Sequence, residues 1–246
     1  MLIAAHPDDE TLGVGGQLGG IPDLTLIHVT DGAPRDLADA RRAGFDTRQA
    51  YARARARELE RALSAAEVAP VRRRSLEIAD QEAIEHLPEL LALIADELRA
   101  AAAVITHPYE GGHPDHDVCA LLVQCACEQL SRARRPAPLR LEFPSYHARK
   151  GDAAWGVFWP AAGCPERVVP LDARQLARKR AALAQFATQR KVIAPFPLDP
   201  ERLRPAPRYD FTHRPPPGEI LYDGFHWRVT GESWRRRARA VLGHMH

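Results

Sequence analysis

From Met1 to Gln189, short apolar runs alternate with segments of helical periodicity, and each run breaks off abruptly into polar residues. That alternation leaves few folds open, because parallel strands joined by helices must share one sheet with both faces covered. Met1–Ala5 is the first run, stopped at His6-Pro7, where proline lacks the N–H that a central strand needs. Leu24–Thr30 is the second, closed by Asp31-Gly32, and the glycine-rich segment between them, Gly13 to Gly20, is predicted to hold a short helix. A helix is predicted from Asp46 or Thr47 to Ala66, with Leu59, Ala62, Leu63 and Ala66 on one face and arginines on the other. A short strand at Leu76–Ala79 precedes a helix that carries Ile84, Leu87, Leu91, Ile94, Leu98 and Ala101 at helical spacing.

Ala103–His107 is the next predicted strand, and Pro114 then opens a helix with Val118, Leu121, Leu122 and Cys125 inward. Leu139–Phe143, Val157–Trp159 and Arg167–Val169 read as β pieces, and Asp172 caps a helix running to about Gln189. The predicted fold class is α/β, a largely parallel, doubly wound sheet with helices on both faces. Beyond Pro195 the character changes, since eight of the 21 prolines fall between Pro195 and Pro217. Proline at that density makes stiff, extended chain. Tyr209, Phe211, Tyr222, Phe225, Trp227 and Trp234 favour an ordered wrap over a disordered tail. Residues 1–246 are therefore expected to form one domain, with about 195–246 as a proline-rich C-terminal extension packed on it.

Charge and cysteine usage narrow the function classes. Thirty-four basic against 32 acidic side chains leave a net +2, which excludes the single-sign excess of a general nucleic-acid binder. No apolar stretch reaches the ~18–20 residues that a spanning helix needs, and no signal peptide is expected. Cys119, Cys125, Cys127 and Cys164 form no paired array, so they read as reduced thiols and the expected compartment is the cytoplasm. A homo-oligomer is left open.

Ligands of open parallel sheets bind beyond the carboxyl ends of the strands. There the chain places His6-Pro7-Asp8-Asp9-Glu10, then Thr30-Asp31-Gly32, then the segment from His107 to His116. So much imidazole and carboxylate at one edge is costly to leave without a cation. Two imidazoles and one carboxylate leave positions open for water, as in catalytic zinc and non-haem iron(II) sites. His6, Asp9 and His116 are the candidate ligands, and Asp8 is placed to take a proton from a bound water. Gly13-x-Gly15-x-x-Leu18 with Asp31 suggests a dinucleotide site, but the third glycine is missing and three carboxylates occupy the phosphate turn. Those glycines are expected instead to let the first helix pack closely on the sheet.

Ala5-His6-Pro7-Asp8-Asp9-Glu10 and Gly112-His113-Pro114-Asp115-His116 resemble the two signature motifs of the PIG-L, or LmbE-like, metal-dependent de-N-acetylases. Supporting similarities run through Val29 to Ala33, Arg55-x-x-Glu58-Leu59 and the segment from Lys179 to Gln189. The resemblance implies a Rossmann-like fold, a cofactor that is usually Zn2+ (Fe2+ or another divalent metal being possible), and a small N-acylated amino sugar conjugate as partner. It places the ligands on His6, Asp9 and His116 and the general base on Asp8. It implies that His113 polarises the scissile carbonyl as an imidazolium, with Asp115 bonded to it and favouring its charged form. Arg55 and Asp80 fall at substrate-contacting positions. Some relatives have a tyrosine where this chain has Gly111, and Tyr109 is the nearest substitute. His147, His213 and His226 are further residues within possible reach. The expected activity is a zinc-dependent de-N-acetylase; the alternatives are an iron(II) oxygenase and a catalytically silent carbohydrate-binding protein of the same fold.

Overall fold

The computed structural model describes residues 1–69 and 71–243. In chain order the elements are β1 (Leu2–Ala4), α1 (Asp9–Val14), β2 (Thr25–Thr30), α2 (Ala38–Arg42), α3 (Arg48–Ala65) and β3 (Arg72–Ile78). There follow α4 (Leu87–Glu97), β4 (Ala103–Thr106), α5 (Pro114–Arg132), β5 (Leu139–Glu142), β6 (Tyr146–Arg149) and β7 (Asp152–Trp155). The chain continues through β8 (Arg167–Val169), α6 (Ala173–Leu183), α7 (Arg190–Ile193), β9 (Glu201–Pro205) and α8 (Gly231–Gly243).

Seven strands form one sheet in the order β3-β2-β1-β4-β5-β9-β8, and β6 and β7 form a separate hairpin. The first five strands are parallel, whereas β9 and β8 add antiparallel. The alternation expected of a sheet buried on both faces is explicit in β1. Ile3, with Ile27, Val29 and Val104, faces Leu91 and Ile94 of α4, Leu121 and Leu122 of α5 and Trp234 of α8. Leu2 and Ala4, with Leu26, face Leu12 of α1, Leu59 and Leu63 of α3 and Leu183 of α6. The α/β, largely parallel fold read from the sequence is therefore the one observed.

Several boundaries differ, each for a local reason. Helix α1 begins at Asp9, ahead of the expected Gly13, because acidic residues favour the positive end of a helix, and the rest of the glycine-rich segment holds a 3-10 turn at Leu18–Gly20. Gly13 does serve close packing: a Cβ there would lie 2.2 Å from the Phe143 ring. Strand β3 starts at Arg72 rather than Leu76 as a charged edge strand, with Arg72 and Arg74 paired to Glu97. Val157–Trp159 is not a strand. Pairing instead runs Tyr146↔Trp155 to Arg149↔Asp152, closed by Lys150 and Gly151, both at positive φ, as a tight hairpin turn requires. Asp172 caps α6 as expected, but the helix stops at Leu183 instead of Gln189. Phe186 turns into the core, and the Thr188 N–H and hydroxyl bond to Glu58 rather than continuing the helix.

The proline-rich extension contains two elements that its composition hides, β9 and α8. Phe211, Tyr222 and Trp234 are buried, whereas Phe225 is exposed.

Candidate functional site

Strand order reverses at β1, which lies between β2 and β4, and that reversal opens a crevice beyond the strands' carboxyl ends. His6 leaves β1 there, and its backbone N–H donates to Asp9 Oδ2 at 2.8 Å, which fixes the turn into α1. Glu10 points away and bonds His28 on β2 at 2.9 Å. Across the crevice, His113 caps α5, its Nδ1 accepting the Asp115 N–H at 3.2 Å, and Pro114 takes the first helical position. His116 follows on the first turn of α5.

The three candidate ligands converge. His6 Nδ1 lies 3.2 Å from Asp9 Oδ2 and 3.3 Å from His116 Nε2, and His116 Nε2 lies 3.4 Å from Asp9 Oδ1. Tetrahedral donors at ~2.0–2.1 Å from one ion would stand about 3.3 Å apart, the separation of His6 Nδ1 and His116 Nε2, while Asp9 turns a different oxygen to each of them. The wider cluster offers overlapping donor sets, His6-His113-His116, His6-Asp80-His113-Asp115 and Asp9-His107-His116. His107 is the weakest of these, because its Nε2 already accepts the Ala5 N–H at 3.1 Å and its Nδ1 meets Ser145 Oγ at 2.9 Å. It stacks on His116 at 4.0 Å and so orients that ring.

Charge in the cluster is balanced by imidazole. Burial would raise Asp9, yet His116, His107 and His6 hold its carboxyl well below the usual range. Asp80 is held low in the same way by His6 and His113. Burial lowers His6, but Asp80 and Asp9 together carry it well above its ordinary value. Burial leaves His116 well below its own, a state suited to a neutral ligand.

Asp8 sits beside this cluster with Arg55 on its far side, Nη2 to Oδ2 at 3.1 Å, while Arg55 also donates to the Gly32 carbonyl at 2.7 Å. Burial, against the opposing pull of Arg55, raises the Asp8 carboxyl to about 6. Arg55 and Asp80 both line the cavity, although their bonds go to protein groups: Arg55 to Asp8, and Asp80 to His6 Nε2 at 3.2 Å and His113 Nε2 at 3.4 Å. The expected Asp115–His113 carboxylate bond is not formed. Asp115 Oδ2 stands 4.0 Å from His113 Nδ1 and instead accepts the Gln81 N–H at 2.6 Å. Because Nδ1 of His113 accepts a backbone N–H, the hydrogen of the ring is assigned to Nε2, toward Asp80.

Tyr109 does not replace the missing tyrosine. It is buried against Trp234 and donates to the His213 carbonyl at 2.8 Å, away from the cavity. Gly111, at φ +69°, has the strap residues Pro215 and Glu219 about 3 Å from where a Cβ would sit, so no side chain fits there. Tyr146, from β6, lines the cavity instead, with burial and the surrounding carboxylates raising its hydroxyl well above the ordinary value. His147, His213 and His226 lie outside the lining. Phe196 and Trp227 belong to it, and neither stands in a motif that marks it. The cavity measures about 120 Å³ and adjoins a groove of about 510 Å³, with Asp39, Gln189 and Val192 shared between them.

Comparison with known proteins places this geometry. Residues 1–127 match the PIG-L family, described as GlcNAc-PI de-N-acetylase. A probable N-acetyl-alpha-D-glucosaminyl L-malate deacetylase 2 of Bacillus subtilis (strain 168) is 27% identical over 146 residues, 55% of this chain. The match spans 63% of that relative's length. A zinc-inhibited form of the teicoplanin deacetylase Orf2 shares the fold at TM-score 0.58 and 16% identity, covering 85% of this chain and 98% of that one. So does GalB, the 4-carboxy-2-hydroxymuconate hydratase of Pseudomonas putida KT2440, at TM-score 0.56 and 17% identity over 85% and 96%. The shared fold thus carries both a deacetylase and a hydratase, and the assignment rests on the sequence match over the two His-Pro-Asp segments. By that match, which takes in more than half of its residues, the chain belongs to the PIG-L family.

Proposed function

We propose that this protein is a divalent-metal-dependent amidohydrolase that removes an acetyl group from the nitrogen of an amino sugar or N-acetylglucosamine conjugate. The observation that carries the reading is the convergence of His6, Asp9 and His116 in one crevice, with Asp8 held beside them by Arg55. His6, Asp9 and His116 would hold Zn2+, or Fe2+ in its place, and the bound ion supplies Lewis acidity and a water of lowered pKa. Zinc is named for an inhibited form of the teicoplanin deacetylase, and the B. subtilis relative is named for an N-acetylglucosaminyl substrate.

Asp8 accepts a proton from the attacking water as the new C–O bond forms at the amide carbon, and Arg55 holds its carboxylate in place. The Nε2–H of His113 and the hydroxyl of Tyr146 donate to the oxygen that gains charge. As the C–N bond breaks, the proton on Asp8 passes to the nitrogen, releasing acetate and the free amine. His113 acts here through Nε2, its Nδ1 being occupied by the Asp115 N–H. The substrate in this reading is a small N-acylated conjugate, the class named for the B. subtilis relative; separately, among the described residues no helix is long and apolar enough to cross a membrane. Residues 1–246 act as one catalytic unit.

Replacing Asp8 by Ala should leave bound metal unchanged and cut turnover by about 10²–10⁴-fold. Unchanged turnover removes Asp8 from the reaction. Elemental analysis with an amine-release assay tests the class, since oxygen uptake would support an oxygenase, and binding without turnover a silent carbohydrate binder.

A further inference from the structure

Trp227 lies outside the residues that the family match covers and outside both motifs. Its place is nevertheless fixed from two sides. Before it, the Leu221 N–H donates to the Gly111 carbonyl at 2.8 Å and the Tyr222 hydroxyl to Asp117 Oδ2 at 3.3 Å. After it, Val229 is buried and the Trp234 indole N–H donates to the Pro114 carbonyl at 3.0 Å. The Gly231 N–H meets Asp223 Oδ1 at 2.6 Å and closes the base of the intervening loop. The bonds to Gly111, Pro114 and Asp117 fall on the stretch that delivers His113 and His116.

Held this way, Trp227 forms part of the cavity lining and meets the His113 ring edge to face at 4.8 Å. On its other side it meets Phe225 at 4.9 Å, and Phe225 is 42% exposed. Large exposed apolar side chains are few among the described residues: Leu139, Val168, Val192 and Phe225. Of these, Val192 lines the cavity and Phe225 backs its aromatic wall. Apolar surface left uncovered beside a polar reaction site points to a ligand that brings apolar surface of its own.

Size decides which part of the substrate meets that wall. The cavity of about 120 Å³ is well below the ~300 Å³ at which ligand pockets begin, so it holds the reacting amide while the rest of the substrate extends along its aromatic wall or into the adjoining groove of about 510 Å³. Whatever carries the amide nitrogen must stand at the mouth. A pyranose ring presents a flat face of C–H groups, which packs against an aromatic ring and leaves the hydroxyls free. An open chain has no such face.

We propose that Trp227 is a specificity-determining residue that packs against the pyranose ring of the substrate and so sets the amide beside His113. The proposal rests on the amide-hydrolysis reading above and adds the residue that reads the sugar ring. The test compares the wild type with Trp227→Leu, which keeps apolar cover without a ring, and Trp227→Phe, which keeps a ring. Two substrates carry the same acetamido group, methyl N-acetylglucosaminide and its open-chain counterpart N-acetylglucosaminitol. Expected for Trp227→Leu is a KM for the pyranoside raised about 10- to 100-fold with kcat little changed, a clearly smaller loss on the open-chain amide, and substantial recovery in Trp227→Phe. Equal losses on both amides, no loss on either, a fall in kcat alone, or no recovery in Trp227→Phe overturns it. If the wild type cleaves neither amide, the amide-hydrolysis reading fails. The wall is then judged by tryptophan emission on titration with methyl glucosaminide: a change in the wild type that is lost in Trp227→Phe supports it, and no such difference overturns it.

Discussion

Two buried charge clusters lie close together in this molecule and are neutralised by different means. In one, Arg204 joins Glu142 at 3.0 Å and Glu110 at 3.2 Å, and Tyr209 donates to Glu142 at 3.0 Å. In the other, Asp9 and Asp80 face His6, His113 and His116. A guanidinium keeps its charge at any accessible pH and grips carboxylates with a planar fork, so the first cluster is a permanent fastener joining β5, β9 and the motif loop. An imidazole can give up its proton and offer a lone pair, so the second can exchange protons for a metal. In these two clusters the balancing cation differs with the role, although Arg55 on Asp8 brings a guanidinium to the edge of the second.

The sharpest way to break this contrast is Asp9→Ala. It should remove bound metal and lower turnover by more than the about 10²–10⁴-fold expected for a missing base, while the folded state persists. Metal analysis with an activity assay checks it, and retained metal would mean that Asp9 is no ligand. Arg204→Met should do the opposite, costing about 3–5 kcal/mol of stability by stranding two buried carboxyls, with specific activity of the folded protein nearly intact. Thermal melts check that, and their pH dependence sharpens it. Burial lifts Glu110 to about 8 and Glu142 to about 7, above the ordinary 4.5, with Arg204 opposing the rise. The folded state then holds more protons than the unfolded between those values. Stability should fall as pH rises from about 4.5 to 8, more steeply without Arg204. The smallest effect is expected from Asp80→Asn, which weakens the partner of His6 Nε2 and should cost about 10- to 100-fold in metal affinity at unchanged melting temperature.

The fastener was not legible in the sequence, and much of the receptor was. His6, Asp9 and His116 announce themselves because each follows an apolar run at a strand end, where topology alone sends side chains to the crevice. Asp80 was found by resemblance, but its partners were not, since a loop after β3 must fold back across α5 before it meets His6 and His113. Tyr146 and Trp227 enter from a hairpin and a proline-rich strap whose paths are set by pairing and by long-range ties. Periodicity reports only local preference. The same limit applies to the fold: α3 and α4 carry their own pattern, whereas β9 exists because β5 offers an open edge to Glu201–Pro205. Arg204 and Glu110 stand 94 residues apart, and nothing local to either indicates the other.

The bond from Trp234 to Pro114 spans 120 residues of chain. During synthesis the two His-Pro-Asp segments leave the ribosome long before the strap that covers them, so the donor cluster forms first with its outer wall missing. Closing that wall is a contact of high sequence separation, which pays its loop entropy late and in one step. The wall beside the donors is thus completed only by residues that lie about a hundred positions further along the chain.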